Sequence, residues 1–151
     1  MKGGAAMKLT FQLLSENAVL PVRGTPDSAG LDLSACLEAP VTIEPHTICM
    51  IPTGLAAAPD RRDVMLMLCA RSGLASKHGI ALANGVGIID SDYRGEIRAA
   101  LINQSDVPFT VTHGMRIAQL ITVPVLFPEV CQAETLPDTD RGQGGFGSTG
   151  S

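Results

Sequence analysis

The stretch Ala83-Asn84-Gly85-Val86-Gly87-Ile88-Ile89-Asp90-Ser91-Asp92-Tyr93-Arg94-Gly95-Glu96 decides how the rest of the chain is read. Val86, Ile88 and Ile89 form a short β-branched run. From Glu96 to Ile102, the residues Ile97, Ala99 and Leu101 alternate with Glu96, Arg98 and Ala100, the period of a half-buried strand. Two such runs joined by a Gly-containing loop, Ser91 to Gly95, predict a hairpin. It carries a carboxylate, Asp90, where its first strand ends, and an aromatic ring, Tyr93, further along the loop. A carboxylate at the edge of an apolar surface is expected to be partly desolvated, which raises its value as a base. The same residues also suit a plainer role, with Asp90 and Asp92 as turn formers and Tyr93 as a packing residue.

On either side of this stretch the chain runs as short strands. Leu9, Phe11 and Leu13 alternate with Lys8, Thr10 and Gln12 after a Gly-rich start, and Leu31 and Leu33 flank Asp32 so that the charge points away from its apolar neighbours. Further apolar segments span Val41 to Ile43, Ile48 to Ile51, Val64 to Cys69, Ile80 to Leu82, Phe109 to Val111 and Ile117 to Phe127. Prolines and glycines punctuate them at Pro45, Pro52, Gly54, Pro59, Pro108 and Gly114. That spacing predicts an all-β fold, a jelly-roll-like barrel or sandwich, rather than alternating βα units. The segment Ile117 to Phe127 stays apolar for longer than one buried face requires, and the excess predicts a subunit interface.

One segment predicts a short helix. In Arg71-Ser72-Gly73-Leu74-Ala75-Ser76-Lys77-His78-Gly79, Ser72 suits the N-cap, Lys77 and His78 the last turn, and Gly79 the left-handed residue beyond it. A helix start with free backbone N–H groups, a hydroxyl and the Arg71 guanidinium would cradle phosphate. The alternative is that Ser72 only caps and Arg71 is a surface charge. The end of the chain, Asp138 to Ser151, has almost no apolar side chains and is expected to be a mobile arm attached to a β domain spanning 1–137. Within it, Arg141 and Phe146 sit among glycines, as a lid over a nucleotide would need, although a plain disordered tail has the same composition.

At 151 residues the chain is expected to form one domain, and its net charge of −4 with no basic block argues against a nucleic-acid surface. No apolar run is long enough to span a membrane and the N-terminal residues have no signal-like core, so a cytoplasmic protein is expected. Cys36, Cys49, Cys69 and Cys131 lack zinc-ligand spacing and are expected to be small reduced core residues.

Five segments in order, Ala29 to Ala35, Ala70 to Ala75, Asn84 to Glu96, Gly114 to Ile121 and Arg141 to Gly150, resemble the five motifs of the homotrimeric deoxyuridine triphosphatases. One departure is Ala70, where the second motif of that family commonly has proline. The resemblance implies a jelly-roll subunit, a homotrimer with each pocket between subunits, taking the hairpin from one chain and the Arg71 to Gly73 cradle from another, and Mg²⁺-dependent hydrolysis of dUTP to dUMP and pyrophosphate, limiting uracil in DNA. It further implies that Asp90 activates the attacking water and that Tyr93 lies against the sugar. Asn84 and backbone groups of Gly87, Ile88, Ile89 and Arg98 would hold uracil. Arg71, Ser72, Gly73, Gln119 and Arg141 would meet the phosphates and Phe146 the base, with Asp32 and Arg116 behind them, paired with one another or holding water near the metal. The metal would ride on the phosphates and water, with no direct protein ligand. Two rivals remain: a related dCTP deaminase, and a regulatory protein that binds nucleotide without needing turnover.

Overall fold

The computed structural model describes residues 7–145. Its strands, in chain order, are β1 (Leu9–Leu13), β2 (Leu31–Ser34), β3 (Val41–Ile43), β4 (Ile48–Pro52), β5 (Leu55–Pro59), β6 (Val64–Ala70), β7 (Ile80–Leu82), β8 (Gly87–Ile89), β9 (Arg98–Asn103), β10 (Phe109–Val111) and β11 (Arg116–Pro124). A helix, α1 (Ser72–His78), lies between β6 and β7. Every strand pairing is antiparallel. The fold is the all-β jelly roll that the short, turn-punctuated strands predict. No helix among the described residues is long and apolar enough to cross a membrane.

A four-stranded sheet in the order β2-β11-β6-β8 and a three-stranded sheet in the order β4-β9-β7 are joined by two pairs, β1-β5 and β10-β3. All four contribute to a single core. Leu33, Leu66, Leu68, Ile117 and Leu120 come from the larger sheet, Ile51, Ile80 and Leu101 from the smaller, and Leu55, Ile43 and Val111 from the pairs. Asn103 is fully buried at the end of β9. Its amide donates to the carbonyls of Ile43 and Val107 at 2.9 and 2.8 Å, and its carbonyl oxygen accepts from Ser105, so no polar atom is stranded.

Three expectations need correction. The hairpin is not one. β8 pairs with β6 and β9 pairs with β4 and β7, so the segment from Asp90 to Ile97 crosses from one sheet to the other. Both strands exist, and Ile97, Ala99 and Leu101 do point inward, each no more than 2% exposed. A local pattern specifies faces; it does not specify the partner strand. The helix begins one residue earlier in its capping than expected: Arg71 is the N-cap, extended at φ −89° and ψ 128°, and no side chain caps the first turn. Gly79 closes the helix in the left-handed conformation at φ 67°, as expected. The cysteines are core residues only in part: Cys36 and Cys49 are half-buried and pack against the core, Cys69 is half-buried, and Cys131 is exposed.

Candidate active site

Two groups of candidate residues gather at different places on the four-stranded sheet. The first surrounds Asp32 on β2. Arg71, just past the end of β6, reaches across β11 to lay its Nε 3.1 Å from Asp32 Oδ1, and Arg116 at the start of β11 places Nη1 3.0 Å from Asp32 Oδ2. Arg71 also donates to the Arg116 carbonyl at 3.3 Å. Charge-assisted contacts of this kind are short and directional, so one carboxylate orients two guanidinium groups. Asp32 is largely buried, with its side chain 16% exposed, while Arg116 stays half exposed and able to meet an anion.

Gln119 faces Asp32 across the β11–β2 ladder, and its Nε2 donates to the Ala70 carbonyl at 3.0 Å. Gly30 makes this possible: a Cβ there would fall 2.6 Å from Gln119 Oε1. At the opening of α1, Ser72 and Gly73 are exposed, and nothing lies within 4 Å of where a Gly73 Cβ would stand. The first N–H groups of a helix have no partner inside it. With Ser72 not engaged as a cap, its hydroxyl and these amides remain available to an anion beside Arg71.

The second group lies where β8 leaves the sheet. Gly87, Ile88, Ile89, Asp90, Tyr93 and Arg98 line a cleft of about 350 Å³ between β8 and β9, within the range of small-molecule sites. β8 is an edge strand, so its outward backbone groups have no strand partner. Gly87 lets the backbone pass close to Leu68, whose Cβ is 3.0 Å from where its own Cβ would stand. Asn84 is exposed above this point, with Nδ2 3.8 Å from the same position.

Asp90 accepts the Tyr93 amide on its backbone carbonyl at 3.1 Å, which closes a turn. Arg94 braces that turn by donating to the carbonyls of Ser91 and Tyr93 at 2.9 and 2.8 Å. The Asp90 side chain is exposed, contrary to the expectation of partial desolvation. The reason is positional: Asp90 follows a three-residue strand at the open edge of the sheet, and no strand among the described residues pairs beyond it. It stands between the 350 Å³ cleft and a larger one of about 670 Å³ that Asp60, Arg61, Arg62 and Arg94 also border. On that rim the hydrogen bond from Arg61 holds the exposed Asp63 carboxyl below the usual carboxylate range.

Arg141 is exposed and donates to the Gly144 carbonyl at 2.8 Å within a local turn. Among the described residues it has no bond to either group. Phe146 lies outside the described residues. Sequence reasoning passed over Met50 and Leu68, which line the cleft from β4 and β6. No local signal marks them, because only the folded topology brings them beside β8. Glu96 and Ile97 also line it, and their closeness to Tyr93 in sequence was the available clue.

The dUTPase family model matches residues 16–150. A deoxyuridine 5′-triphosphate nucleotidohydrolase of Desulfitobacterium hafniense is 52% identical over 144 residues, covering 95% of each chain. Among solved structures, a Staphylococcus bacteriophage 80alpha dUTPase with dUpNHpp superposes with a TM-score of 0.82 at 28% identity, covering 95% of this chain and 99% of that one. A mutant dUTPase from phage phi11 of S. aureus, described with a structural Mg(II) ion, has a TM-score of 0.78 at 25% identity, covering 87% and 99%.

Proposed function

The chain belongs to the dUTPase family and hydrolyses dUTP, and from that premise we propose that each active site is assembled between subunits of a homotrimer. The observation that carries this is the separation of the two half-sites. The cleft beside β8 is lined by none of the cradle residues: Asp32 sits on β2, Arg116 and Gln119 on β11, and Arg71 to Gly73 just past the end of β6. The outer strands β2 and β8 lie three strand spacings, roughly 15 Å, apart. A cyclic arrangement would bring the β8 edge of one subunit against the β2 edge of the next. The sheets' outward faces support it. Ile48 and Met50 are 58% and 51% exposed on β4, and Ile88 is 56% exposed on β8. Apolar surface of this extent on a single chain favours association.

In this reading the β8 edge and Asn84 take uracil, whose carbonyls and N–H complement an open strand edge. Tyr93 lies beside the deoxyribose, where a ribose 2′-hydroxyl would need space. Arg71, Ser72, Gly73 and Gln119 hold the phosphates, and Asp32 and Arg116 keep that cradle in shape. Asp90 takes a proton from water as its oxygen bonds to the α-phosphorus and the bond to the bridging oxygen breaks, so that pyrophosphate leaves with that oxygen. Residues 138–151 act as an arm closing over the site, with Arg141 on the phosphates and Phe146 on the base.

Magnesium is the cofactor this reading calls for. Among the described residues, no group of three His, Cys, Asp or Glu side chains is placed to hold a metal ion, and the Asp32 carboxylate is already engaged by two guanidinium groups. Such a donor set suits a cation carried by the triphosphate and water, where it would neutralise phosphate charge. We place the enzyme in the cytoplasm, where free cysteines such as these stay reduced.

Incubation with each deoxynucleoside triphosphate and Mg²⁺, scored for pyrophosphate and for ammonia, tests the assignment. Pyrophosphate from dUTP alone is the expected result. Ammonia from dCTP would make the chain a deaminase instead. Sedimentation at the mass of a monomer under turnover conditions would remove the shared pocket.

A further inference from the structure

Tyr93 stands in the cleft on a loop whose two ends are held very differently. At the start, Asp90 follows an edge strand and is exposed. At the finish, three bonds tie the loop to the turn between β4 and β5. The Gly54 amide donates to Glu96 Oε1 at 2.8 Å, the Thr53 hydroxyl donates to the Ile97 carbonyl at 2.6 Å, and the Ile97 amide donates to the Leu55 carbonyl at 2.7 Å. Gly54 has little freedom to move. Its φ is 67°, and a Cβ there would fall 2.9 Å from both Ala18 Cβ and Cys36 Sγ. The fixed end also reaches the ring, because Tyr93 Oη donates to the Glu96 carbonyl at 3.1 Å. The ring is folded back over Gly95, where a Cβ would come within 3.0 Å of Tyr93 Cε2.

A continuous chain of bonds therefore runs from a rigid core turn, through the side chain and then the carbonyl of Glu96, to the Tyr93 hydroxyl. We propose that Glu96 is a positioning residue for sugar selection: by anchoring to Gly54 it fixes the Tyr93 ring at the depth that excludes a 2′-hydroxyl. The inference rests on the placement of Tyr93 beside the deoxyribose. Glu96 itself need not touch the nucleotide. Its carboxylate, 29% exposed, accepts from the buried Gly54 amide, and its contact with Arg98 Nε is long, at 3.7 Å. The anchoring bond, rather than the ion pair, is the part that matters.

The test exploits composition. Tyr93 is the single tyrosine and the chain has no tryptophan, so its intrinsic emission reports this ring alone. Acrylamide quenching of the free trimer is measured in wild type, Glu96→Ala and Glu96→Gln, which keep the tyrosine, and the ratio of kcat/KM for dUTP to that for UTP in these and in Tyr93→Phe and Tyr93→Ala. Glu96→Ala is expected to raise quenching and to lower the dUTP/UTP ratio by about tenfold, the factor one lost hydrogen bond commonly carries. Glu96→Gln keeps an oxygen for the Gly54 amide and is expected to retain both wild-type values. Tyr93→Phe cuts the same chain at its other end without disturbing the buried amide, and its ratio is expected to fall likewise. Unchanged quenching in folded Glu96→Ala overturns the proposal, as does an unchanged ratio in Tyr93→Phe. So does a Glu96→Gln variant that behaves like Glu96→Ala, which would transfer the role to the Arg98 pair. If Tyr93→Ala leaves the ratio unchanged, the placement of the ring beside the sugar fails and the proposal falls with it, while quenching still separates that failure from a failure of the anchor.

Discussion

Exchanging one oxygen of the Asp90 carboxylate for an amide nitrogen hardly changes its size and removes its capacity to take a proton. Since Asp90 is exposed, Asp90→Asn is expected to fold and to bind dUTP normally. Its single-turnover hydrolysis is expected to fall by at least about 10², the low end of general-base contributions. Near-normal turnover would remove Asp90 from the role of base. Gly30→Ala tests the phosphate side. The added methyl meets the far end of the Gln119 side chain, which can swing away only by giving up its 3.0 Å bond to the Ala70 carbonyl. Loss of that bond predicts about 1 kcal/mol lower stability and a higher KM for dUTP, read by thermal melting and steady-state kinetics. An unchanged KM would detach Gln119 from the phosphates. At this scale the sequence offered the Asp32–Arg116 pair, which forms at 3.0 Å, but not the second arginine on the same carboxylate. That Asp32 would serve two arginines at once follows from β11 lying between β2 and β6, which no local pattern records.

Strands with branched apolar residues were legible one by one, and β3, β7 and β10 have the bounds their residues predict. β5 was not. Leu55-Ala56-Ala57-Ala58-Pro59 is poor in strand formers, yet it pairs with β1 along its whole length and buries Leu55, Ala56 and Ala57. Small side chains there suit a close-packed interior, a tertiary demand that overrides propensity. The last strand was misjudged in the other direction. β11 ends at Pro124, and Leu126 and Phe127, expected within the same apolar segment, are 91% and 73% exposed beyond it. No strand or helix follows β11 among the described residues, so the described part of the arm adds no ladder to the fold. Deletion of residues 140–151, which removes Arg141 and Phe146 together, is therefore expected to leave the melting temperature unchanged and to slow dUTP turnover severely. Wild-type turnover by the truncated protein, with its assembly intact by sedimentation, would sink the role of the arm as a lid.

At the scale of the whole molecule, the cleft beside β8 and the group around Asp32 and Arg71, proposed as nucleoside and phosphate sites, do not share a lining residue among the described residues of one chain. The resemblance of five ordered motifs was enough to name both and to expect them from different subunits; within one chain, no residue of the cradle lines the cleft. The strand order β2-β11-β6-β8 explains why the Asp90 carboxylate is exposed in a single chain: the surface that would cover it belongs, in the proposed trimer, to a neighbour. Complementation tests this directly. Asp90→Asn subunits retain the cradle, and Arg71→Ala subunits retain the cleft. Unfolded together at equal amounts and refolded, they assort at random, and a pocket that takes its cleft from one chain and its cradle from another is intact in about one quarter of cases. Activity is expected to return to that fraction of wild type, while each variant refolded alone stays inactive. A pocket built within one chain would give no recovery in mixed trimers verified by mass, because every chain in the mixture then carries one defect of its own.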